Sequence, residues 1–512
     1  MSAGNPGSQV RVVVVGHGMV GARFVDDLHQ RDPGGRFRIV VLGAEEYDPY
    51  NRVLLSEVVA GKLDVASITL PRTAHRSTST VLPGTRAVTV DRLAGVVHDH
   101  AGERHPYDLL VLATGARARI PDLFGRRDDD DLPRGVHALR TLDDAREIVA
   151  ATVNARRAVV VGGGVLGLEV ACGLAHRGVP VTVVHGGAHL MDRQLDGPAA
   201  VAATARLTSL GISVRVGART EEAVVSGGHI TGVRLEGGEV LAADLLVLTA
   251  GTVPEVGLAQ RAGLDVARGI VVGTDLASPA DARVFAIGDC AEPPEGGSGL
   301  IAQGWDQARR LATLLTEPSA ARDDVPLPTV GTDVVKVKGV GLDVVAMGIC
   351  GPRAGGRRVR LSDPEGGRHI EVVVADGRVV GATCVGAGPV AADLVAAYTR
   401  GTPAPADPAQ LLVRPVAGSA VPAASPTMMP DRAVVCRCNG VTKGDIVGCW
   451  RHGARSVEDV AASTRATTGC GGCSDAVCGI VDWLRRSDPD QPVPVVPTAS
   501  DRADDRAPAA TA

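Results

Sequence analysis

The sequence predicts an α/β protein with two parallel-sheet domains, then a smaller mixed α+β domain and a short cysteine-bearing module. Three observations support this prediction. A strand, a glycine-rich turn, a helix and a second strand follow one another near the N-terminus, and the same order recurs after residue 156. Units of this kind build parallel sheets, because each helix returns the chain to the starting edge. The third observation is two close cysteine pairs after residue 430.

The two units share one pattern. The first has strands at Val10–Val15 and Phe37–Leu42, separated by the turn Gly16-His17-Gly18-Met19-Val20-Gly21 and an amphipathic helix over 22–31. The second has strands at Arg157–Val161 and Val179–Val184, separated by Gly162-Gly163-Gly164-Val165-Leu166-Gly167 and a helix that ends near Arg177. In such a turn the glycines permit the bend, the approach of a pyrophosphate and close helix packing. One such turn is weak evidence, but two in the same context predict two dinucleotide sites.

The end of the second strand in each unit should carry an acid that accepts hydrogen bonds from a ribose. Glu45 meets this expectation in the first unit. In the second unit His185 stands at that place, with His189 and Arg193 close behind. A carboxylate there would repel a 2′-phosphate, so its replacement leaves both NADH and NADPH open.

The composition excludes several functional classes. The net charge of −5 argues against a nucleic-acid partner, because phosphate binding needs clustered basic residues. No apolar run approaches the roughly 18 residues of a membrane span, and the N-terminus lacks the pattern of a signal peptide. We therefore expect a cytoplasmic protein, whose ten cysteines are not a disulfide framework.

Four of the cysteines predict a metal site. Cys436 and Cys438 form one pair, and Cys470 and Cys473 form another after 31 intervening residues. Four thiolates can hold either a 2Fe-2S cluster or a structural zinc, and the CxC spacing favours iron–sulfur. The glycines beside Cys470 and Cys473 allow a tight ligand loop and leave backbone N–H groups free to point at sulfur. We expect Cys478, on the helix that follows, to be packed rather than ligating.

Several longer motifs resemble one family. Residues from about 10 to 485 are similar to the N-terminal half of the NAD(P)H-dependent nitrite reductase large subunit and to electron-transfer subunits of assimilatory nitrate reductase. The resemblance rests on Tyr50-Asn51-Arg52-Val53, Tyr107–Gly115, Arg140–Asp144, Met191–Asp196, Ala286–Ala291 and the module from Val441 to Cys473. The last of these resembles the 2Fe-2S domain of bacterioferritin-associated ferredoxin.

The family implies a glutathione-reductase-like flavoprotein fold with two Rossmann-like domains. FAD would lie on the first glycine-rich turn with Glu45, Arg52 and Asp289, and NADH or NADPH on the second turn with Glu169 nearby. The residues expected to contact FAD are Gly16, Gly18, Met19, Val20, Gly21, Glu45, Arg52, Ala113, Thr114, Gly115, Gly288 and Asp289. Those expected to contact the nicotinamide nucleotide are Gly162, Gly164, Val165, Leu166, Gly167, Glu169, His185 and Gly251. The resemblance makes Cys436, Cys438, Cys470 and Cys473 the ligands of a 2Fe-2S cluster.

The resemblance, together with the composition of the later segments, gives the expected domain boundaries. The FAD-binding domain would comprise 9–118 and 253–322, the NAD(P)H-binding domain 119–252 and the small mixed domain 323–415. A linker (416–430) would then precede the 2Fe-2S module (431–486) and a disordered tail (487–512).

The expected activity is electron transfer from NAD(P)H to a separate terminal reductase, either a molybdopterin nitrate reductase or a sirohaem nitrite reductase. The further cysteine groups of a sirohaem domain are absent, so we do not expect this chain to reduce nitrite by itself. Dithiol chemistry is also not expected, because no cysteine lies between Asp48 and Ser56. The alternatives are a reductase that serves a rubredoxin, ferredoxin or oxygenase, and a redox-sensing or iron-handling adaptor.

Overall fold

The computed structural model describes residues 9–70, 78–124, 132–317, 333–350, 355–413, 426–436, 439–468 and 473–487. Backbone packing divides the chain into two compact units, residues 1–419 and 420–512. The predicted linker residues 416–425 and the tail from 488 onward lie outside the described residues, as do Cys438 and Cys470.

The elements of the first unit follow in chain order. Residues 10–118 contain β1 (Val10–Val15), α1 (Met19–Arg31), β2 (Phe37–Leu42), α2 (Leu55–Val59), α3 (Val65–Ile68), β3 (Ser79–Leu82), β4 (Ala87–Asp91), β5 (Val96–Asp99), β6 (Arg104–Pro106), β7 (Leu109–Leu112) and β8 (Ala116–Ala118). Residues 136–254 contain β9 (Val136–Ala138), α4 (Leu142–Thr152), β10 (Ala158–Val161), α5 (Val165–His176), β11 (Val181–His185), α6 (Gly197–Ser209), β12 (Ser213–Val216), β13 (Thr220–Ser226), β14 (His229–Leu235), β15 (Val240–Ala242), β16 (Leu245–Leu248) and β17 (Thr252–Pro254). The remainder contains α7 (Gly257–Arg261), β18 (Ile270–Val271), β19 (Ala277–Ser278), β20 (Asp281–Ala286), β21 (Ala291–Glu292), α8 (Ile301–Thr316), β22 (Val335–Gly339), β23 (Leu342–Gly348), β24 (Arg357–Asp363), β25 (Arg368–Ala375), β26 (Arg378–Val385) and α9 (Gly388–Arg400).

The first sheet has the order β19-β20-β7-β1-β2-β3. All neighbouring strands pair in parallel except β19 and β20, which are antiparallel. Val12, Val14 and Leu110 are fully buried in it, because a parallel sheet covered on both faces is apolar throughout. Since β20 joins the sheet beside β7, residues after 280 return to the domain that contains the N-terminus. The glycine turn after β1 and the loops after β7 and β20 therefore meet at one edge.

The second sheet has the order β12-β11-β10-β16-β9, and all its pairs are parallel. Helix α5 follows β10 and is almost entirely apolar. It packs against α2 of the first domain and β22 of the small domain, so both of its faces are buried. The small domain is a five-stranded antiparallel sheet in the order β22-β23-β26-β25-β24, covered by α9.

The described part of the second unit contains a short β-ribbon and three α-helices: β27 (Val434–Cys436), β28 (Val441–Thr442), α10 (Lys443–Arg451), α11 (Val457–Thr464) and α12 (Ser474–Ser487). Thr442 and Ser456 each cap the following helix through a capping box with an aspartate three residues later. Cys436, Ile446, Trp450, Cys473 and Val477 share one core cluster. Cys436, at the end of β27, and Cys473, just before α12, thus belong to the interior of this unit.

Candidate functional site

The first glycine-rich turn joins β1 to α1, and its glycines have different steric roles. Gly16 has a φ of +112°, and a Cβ there would lie 2.2 Å from the carbonyl oxygen of Ala113. A Cβ on Gly21 would lie 2.1 Å from the carbonyl oxygen of Gly16, so a side chain there would push α1 away from the turn. A Cβ on Gly18 would meet only the Arg52 side chain, at 3.9 Å. The middle glycine therefore faces open space, as the approach of a pyrophosphate requires.

That space belongs to a cavity of about 980 Å³, near the upper end of the range for cofactor sites. Its walls include every residue predicted to contact FAD except Gly21, which packs behind the turn. The lining residues from that prediction are Gly16, Gly18, Met19, Val20, Glu45, Arg52, Ala113, Thr114, Gly115, Gly288 and Asp289. Residues from the turn after β1 and from the loops after β2, β7 and β20 thus converge on one site.

The helix that begins at the cavity is suited to bind an anion. Helix α1 starts at Met19, and in the described structure no side chain caps Gly18 and no acid lies in the first turn. Helix α5 begins in the same way after Gly164. Backbone N–H groups at such a helix start have no partner within the helix, and the helix dipole favours negative charge there.

Glu45 is fixed in position by two neighbours. The Tyr50 hydroxyl donates a hydrogen bond to its carboxylate at 2.7 Å, and the Arg52 guanidinium forms an ion pair with it. Burial raises the pKa of the Tyr50 phenol well above its ordinary value, so this group remains a hydrogen-bond donor at neutral pH. The Tyr50 hydroxyl also accepts a hydrogen bond from the Leu142 N–H at 3.0 Å. Glu45 is therefore oriented at the end of β2, where a ribose acceptor is expected.

Asp289 has a cationic partner that was not among the predicted site residues. Arg140 donates to the Asp289 carboxylate at 2.7 Å and to the Ala116 carbonyl at 2.8 Å. Gln307, from α8, accepts a hydrogen bond from the Gly288 N–H at 2.7 Å and so holds the loop that presents Asp289. The sequence did contain a signal for Arg140, since it opens one of the family motifs, but its partner lies 149 residues away.

His17 and Tyr50 also line the cavity, although neither was predicted as a site residue. His17 lies between the first two glycines of the first turn. Burial lowers the pKa of its imidazole, so it adds no positive charge to the cavity at neutral pH. Its presence at the wall follows from the turn geometry.

The second glycine-rich turn repeats the geometry of the first. Gly162 has a φ of +120°, and a Cβ there would lie 2.5 Å from the Thr249 carbonyl oxygen. A Cβ on Gly167 would lie 1.8 Å from the Gly162 carbonyl oxygen, whereas a Cβ on Gly164 would meet nothing within 4 Å. Gly251, after β16, has a φ of +99° and also faces open space. These residues are separate from the 980 Å³ cavity, as expected for a second dinucleotide site.

His185 ends β11 and packs beside this turn. Its Nδ1 accepts a hydrogen bond from the Gly163 N–H at 3.3 Å, and its Nε2 lies 3.6 Å from a carboxylate oxygen of Asp192. The side chain is 18% exposed. The ring is thus held at the strand end by the backbone of the turn, and the acid expected there is replaced by a group that can carry a positive charge.

Glu169 lies on α5, two residues beyond Gly167. It is buried, accepts a hydrogen bond from the Ser56 hydroxyl at 2.6 Å and another from the Lys338 N–H at 2.8 Å. Burial raises the pKa of its carboxyl group above the ordinary value. It joins α2, α5 and β22, and its expected role near the nicotinamide remains a prediction.

In the second unit, two of the four predicted metal ligands are described, and both accept hydrogen bonds at sulfur. The Thr467 N–H donates to Cys473 Sγ at 3.3 Å, and the Asn439 side chain donates to Cys436 Sγ at 3.7 Å. Such donors suit thiolates bound to iron. Cys436 and Cys473 are also buried, so the described half of the ligand set fits a cluster.

Cys478 lies on α12 as expected, but it is exposed rather than packed. The buried face of α12 consists of Val477, Ile480, Val481 and Leu484. Cys478 falls outside this stripe because a helix advances 100° per residue. Its placement on the outside of the helix corrects the sequence expectation without changing the ligand set.

Two dinucleotide turns in one unit, each with an open middle glycine, define a class of oxidoreductase that binds a flavin and a nicotinamide nucleotide. Residues 10–310 match the family described as pyridine nucleotide-disulphide oxidoreductase, and residues 434–483 match the BFD-like [2Fe-2S] binding domain. The chain belongs to the pyridine nucleotide-disulphide oxidoreductase family. It is an NAD(P)H oxidoreductase whose cofactors are FAD, a nicotinamide nucleotide and a 2Fe-2S cluster. The predicted fold class is confirmed.

Curated relatives extend over both units. The chain is 34% identical to the nitrite reductase [NAD(P)H] large subunit of Klebsiella oxytoca, over 92% of this chain and 49% of the relative. It is 28% identical to the assimilatory nitrate reductase electron transfer subunit of Bacillus subtilis, over 94% of this chain and 61% of the relative. The chain therefore spans about half to three fifths of the length of these relatives.

A solved structure gives the same fold. A ferredoxin reductase from Rhodopseudomonas palustris superposes with a TM-score of 0.64 at 26% identity, covering 73% of this chain and 91% of its own.

Among the described residues, no helix is long and apolar enough to cross a membrane.

Proposed function

We propose that this chain oxidises NADH or NADPH and delivers the electrons singly, through its C-terminal module, to a separate terminal reductase of nitrate or nitrite assimilation. The supporting observation is the pairing of a two-dinucleotide unit with a module whose buried cysteine sulfurs accept N–H donors. Nitrite and nitrate reductase relatives align over both parts. The acceptor in this proposal is a molybdopterin nitrate reductase or a sirohaem nitrite reductase, and the reaction is cytoplasmic.

The chain's residues divide the work of binding. The open faces of Gly18 and Gly164 admit the pyrophosphates of FAD and the nicotinamide nucleotide, while Glu45 receives the ribose of FAD. Arg140 forms an ion pair with Asp289 at 2.7 Å and so holds this side chain at the wall of the cavity. A bound flavin accepts the two electrons of a hydride together and can release them one at a time. The role of the protein groups is therefore to orient both cofactors and exclude water.

Dithiol chemistry does not enter the proposal. The loop and helix that line the cavity between Asp48 and Ser56 contain no cysteine. Cys290 lies near the cavity loop, but it is completely buried and its sulfur donates to the Leu112 and Ile287 carbonyls. Burial raises the pKa of this thiol above its ordinary value, which disfavours the reactive thiolate.

A reductase that serves a rubredoxin is the second candidate. The chain is 33% identical to a rubredoxin-NAD(+) reductase of Pseudomonas putida, but over only 55% of its length. The nitrite and nitrate reductase relatives match 92% and 94% of this chain, so they account for more of it than this candidate does. The redox-sensing or iron-handling adaptor would need the module but not two open dinucleotide turns.

The test is anaerobic mixing of the purified chain with NADPH or NADH. We expect the visible absorbance of the flavin to bleach first, followed by the EPR signal of a reduced 2Fe-2S cluster. The variant Cys473→Ser should lose the cluster signal but still bleach. The matched control is Cys478→Ser, which removes an exposed thiol from the same helix and should retain both signals.

The outcomes separate the candidates. Bleaching without cluster reduction would contradict the proposed route, and absence of bleaching with both nucleotides would favour the adaptor. Electron delivery is then measured with purified nitrate reductase, nitrite reductase and rubredoxin as acceptors. Faster transfer to rubredoxin than to either reductase would overturn the proposed acceptor.

A further inference from the structure

One side chain connects the two cysteine segments of the C-terminal unit. The Asn439 Nδ2 group donates to the Arg465 carbonyl, lies 3.3 Å from Thr468 Oγ1 and lies 3.7 Å from Cys436 Sγ. Asn439 follows the first cysteine pair, whereas Arg465 and Thr468 precede the second. A single carboxamide therefore ties the β27–β28 loop to the turn that leads into the second pair.

The turn that Asn439 holds has an unusual backbone. Arg465 has a φ of +64° and Thr467 a φ of +69°, and neither residue is glycine. A β-branched residue in the left-handed region is a genuine outlier. Such conformations persist where the surrounding structure determines them, and they cluster at functional sites. A contact from outside the turn can hold this backbone in place, and the hydrogen bond from Asn439 to the Arg465 carbonyl is such a contact.

The consequence of this backbone is an N–H group aimed at sulfur. The Thr467 N–H donates to Cys473 Sγ at 3.3 Å. The Arg465 carbonyl is fixed from three sides, since the Thr468 N–H and hydroxyl donate to it at 3.3 and 2.9 Å in addition to Asn439. Removal of Asn439 would take away the one of these three donors that comes from outside the 465–468 turn, and we expect the turn to relax.

We propose that Asn439 is a positioning residue that sets the reduction potential of the cluster. It holds the 465–468 turn so that the Thr467 N–H points at Cys473, and it donates directly to Cys436. Reduction adds one electron to the cluster and makes the thiolates more negative, so N–H donors stabilise the reduced form. Asn439 therefore raises the potential and eases electron entry from the flavin. This inference rests on the proposed function, since it takes Cys436 and Cys473 as ligands.

The variants separate the two contributions of Asn439. Asn439→Ala removes the hydrogen bonds of the side chain to Cys436 Sγ and to the Arg465 carbonyl. Asn439→Asp replaces the side-chain N–H groups with an oxygen that repels the thiolate. Arg451→Gln is the control for charge, because Arg451 is exposed at the end of α10 and its loss makes the same change of −1. The double variant N439A/T467G supplies a residue that adopts a positive φ without strain, so the turn can form without Asn439.

The experiment is an EPR-monitored redox titration of the full-length chain, with iron and flavin content measured for each variant. We expect N439A to shift the oxidised-to-reduced equilibrium at least tenfold toward the oxidised cluster, which is a lowering of about 59 mV for one electron. N439D should shift it further, R451Q should shift it much less, and N439A/T467G should recover part of the change. Flavin content should be unchanged throughout.

A potential for N439A equal to that of the wild type would overturn the inference. A shift of the potential in R451Q as large as that in N439D would also overturn the inference, because the change in net charge would then explain the shift. If N439A retains no iron, the double variant N439A/T467G is the test. A cluster in the double variant would support the positioning role of Asn439, and the absence of a cluster from both variants would overturn that role. A wild-type chain without any cluster signal would overturn the proposed function and this inference together.

Discussion

The two glycine-rich turns of the first unit are alike in backbone and different in what surrounds them. The first glycines have φ values of +112° and +120°, and a Cβ on the third glycine would lie 2.1 Å or 1.8 Å from a backbone oxygen. The ends of their second strands differ, since Glu45 stands in one unit and His185 in the other. The strand–turn–helix geometry thus imposes the same steric demand twice, whereas the residue at the end of the second strand is free to differ.

The helices after the turns differ too. Two residues beyond the third glycine, α1 carries Arg23 and α5 carries Glu169. Arg23 forms an ion pair with Asp27 at 2.9 Å within its own helix. Glu169 instead accepts hydrogen bonds from α2 and β22. Arg23 therefore has a partner within α1, whereas Glu169 joins α2, α5 and β22.

The largest effect is expected from the third glycines. Gly167→Ala places a methyl group 1.8 Å from the Gly162 carbonyl oxygen, and the backbone must move to relieve the contact. We expect a loss of about 2 to 3 kcal/mol in the free energy of unfolding, typical of overpacking, and a parallel loss from Gly21→Ala. Chemical denaturation of the flavin-loaded chain measures it.

The second glycines provide the control. A Cβ on Gly164 meets nothing within 4 Å, so Gly164→Ala should keep the wild-type stability while it weakens nucleotide binding. Equal destabilisation by G164A and G167A would break the distinction between a packing glycine and a ligand-facing glycine.

The next prediction concerns the ribose end of the second unit. His185→Glu restores the acid that the first unit has, so it should favour the 2′-hydroxyl of NADH and repel the 2′-phosphate of NADPH. We expect the ratio of kcat/KM for NADPH to that for NADH to fall at least tenfold, because a hydrogen bond to a charged group contributes about 1.5 kcal/mol or more. Steady-state kinetics with both nucleotides give this ratio.

His185→Gln is the matched control, since it is close in size to the glutamate and carries no charge. It should lower the ratio of kcat/KM for NADPH to that for NADH less than H185E does. A ratio that is the same in the wild type and both variants would place His185 away from the ribose and leave nucleotide choice to other groups.

The sequence predicted the strands and glycine-rich turns that the two units share better than it predicted the surroundings in which they differ. The bounds of β1 and β2 are as predicted, because unbroken apolar runs between polar turns define a buried strand. Helix α1 begins at Met19, three residues before the predicted start, since Gly18 occupies the cap position. The glycine spacing likewise predicted both turns from local pattern alone.

The partners of the site acids could not be predicted, because they come from distant segments. Arg140 reaches Asp289 across 149 residues, and Lys338 reaches Glu169 across 169 residues. Such pairs depend on how domains pack. Asn439 could be predicted in part. Its position beside a cysteine pair places it near the expected cluster, but its contact with Arg465 depends on a left-handed turn that the sequence does not predict.

The smallest effect is expected from Glu169→Gln. Burial raises the pKa of this carboxyl group in the folded chain, whereas in the unfolded chain it ionises near the ordinary value of about 4.3. Below that pH both states are protonated and the folded form keeps its full stability. As pH rises toward the folded pKa, the unfolded chain alone releases the proton, so the wild type loses stability relative to E169Q.

We expect the difference between E169Q and the wild type to grow by about 1 kcal/mol between pH 5 and 7 in favour of the variant, as measured by denaturant unfolding at several pH values. Glutamine can still accept from the Lys338 N–H, so the folded contact is largely retained. Arg23→Gln tests the equivalent helix position, and its effect should be constant over this range because a guanidinium stays charged. If the difference in free energy of unfolding between E169Q and the wild type did not change with pH, Glu169 would ionise alike in the folded and unfolded states. The polar residues of α5 and α1 would then differ only in the residues that they contact.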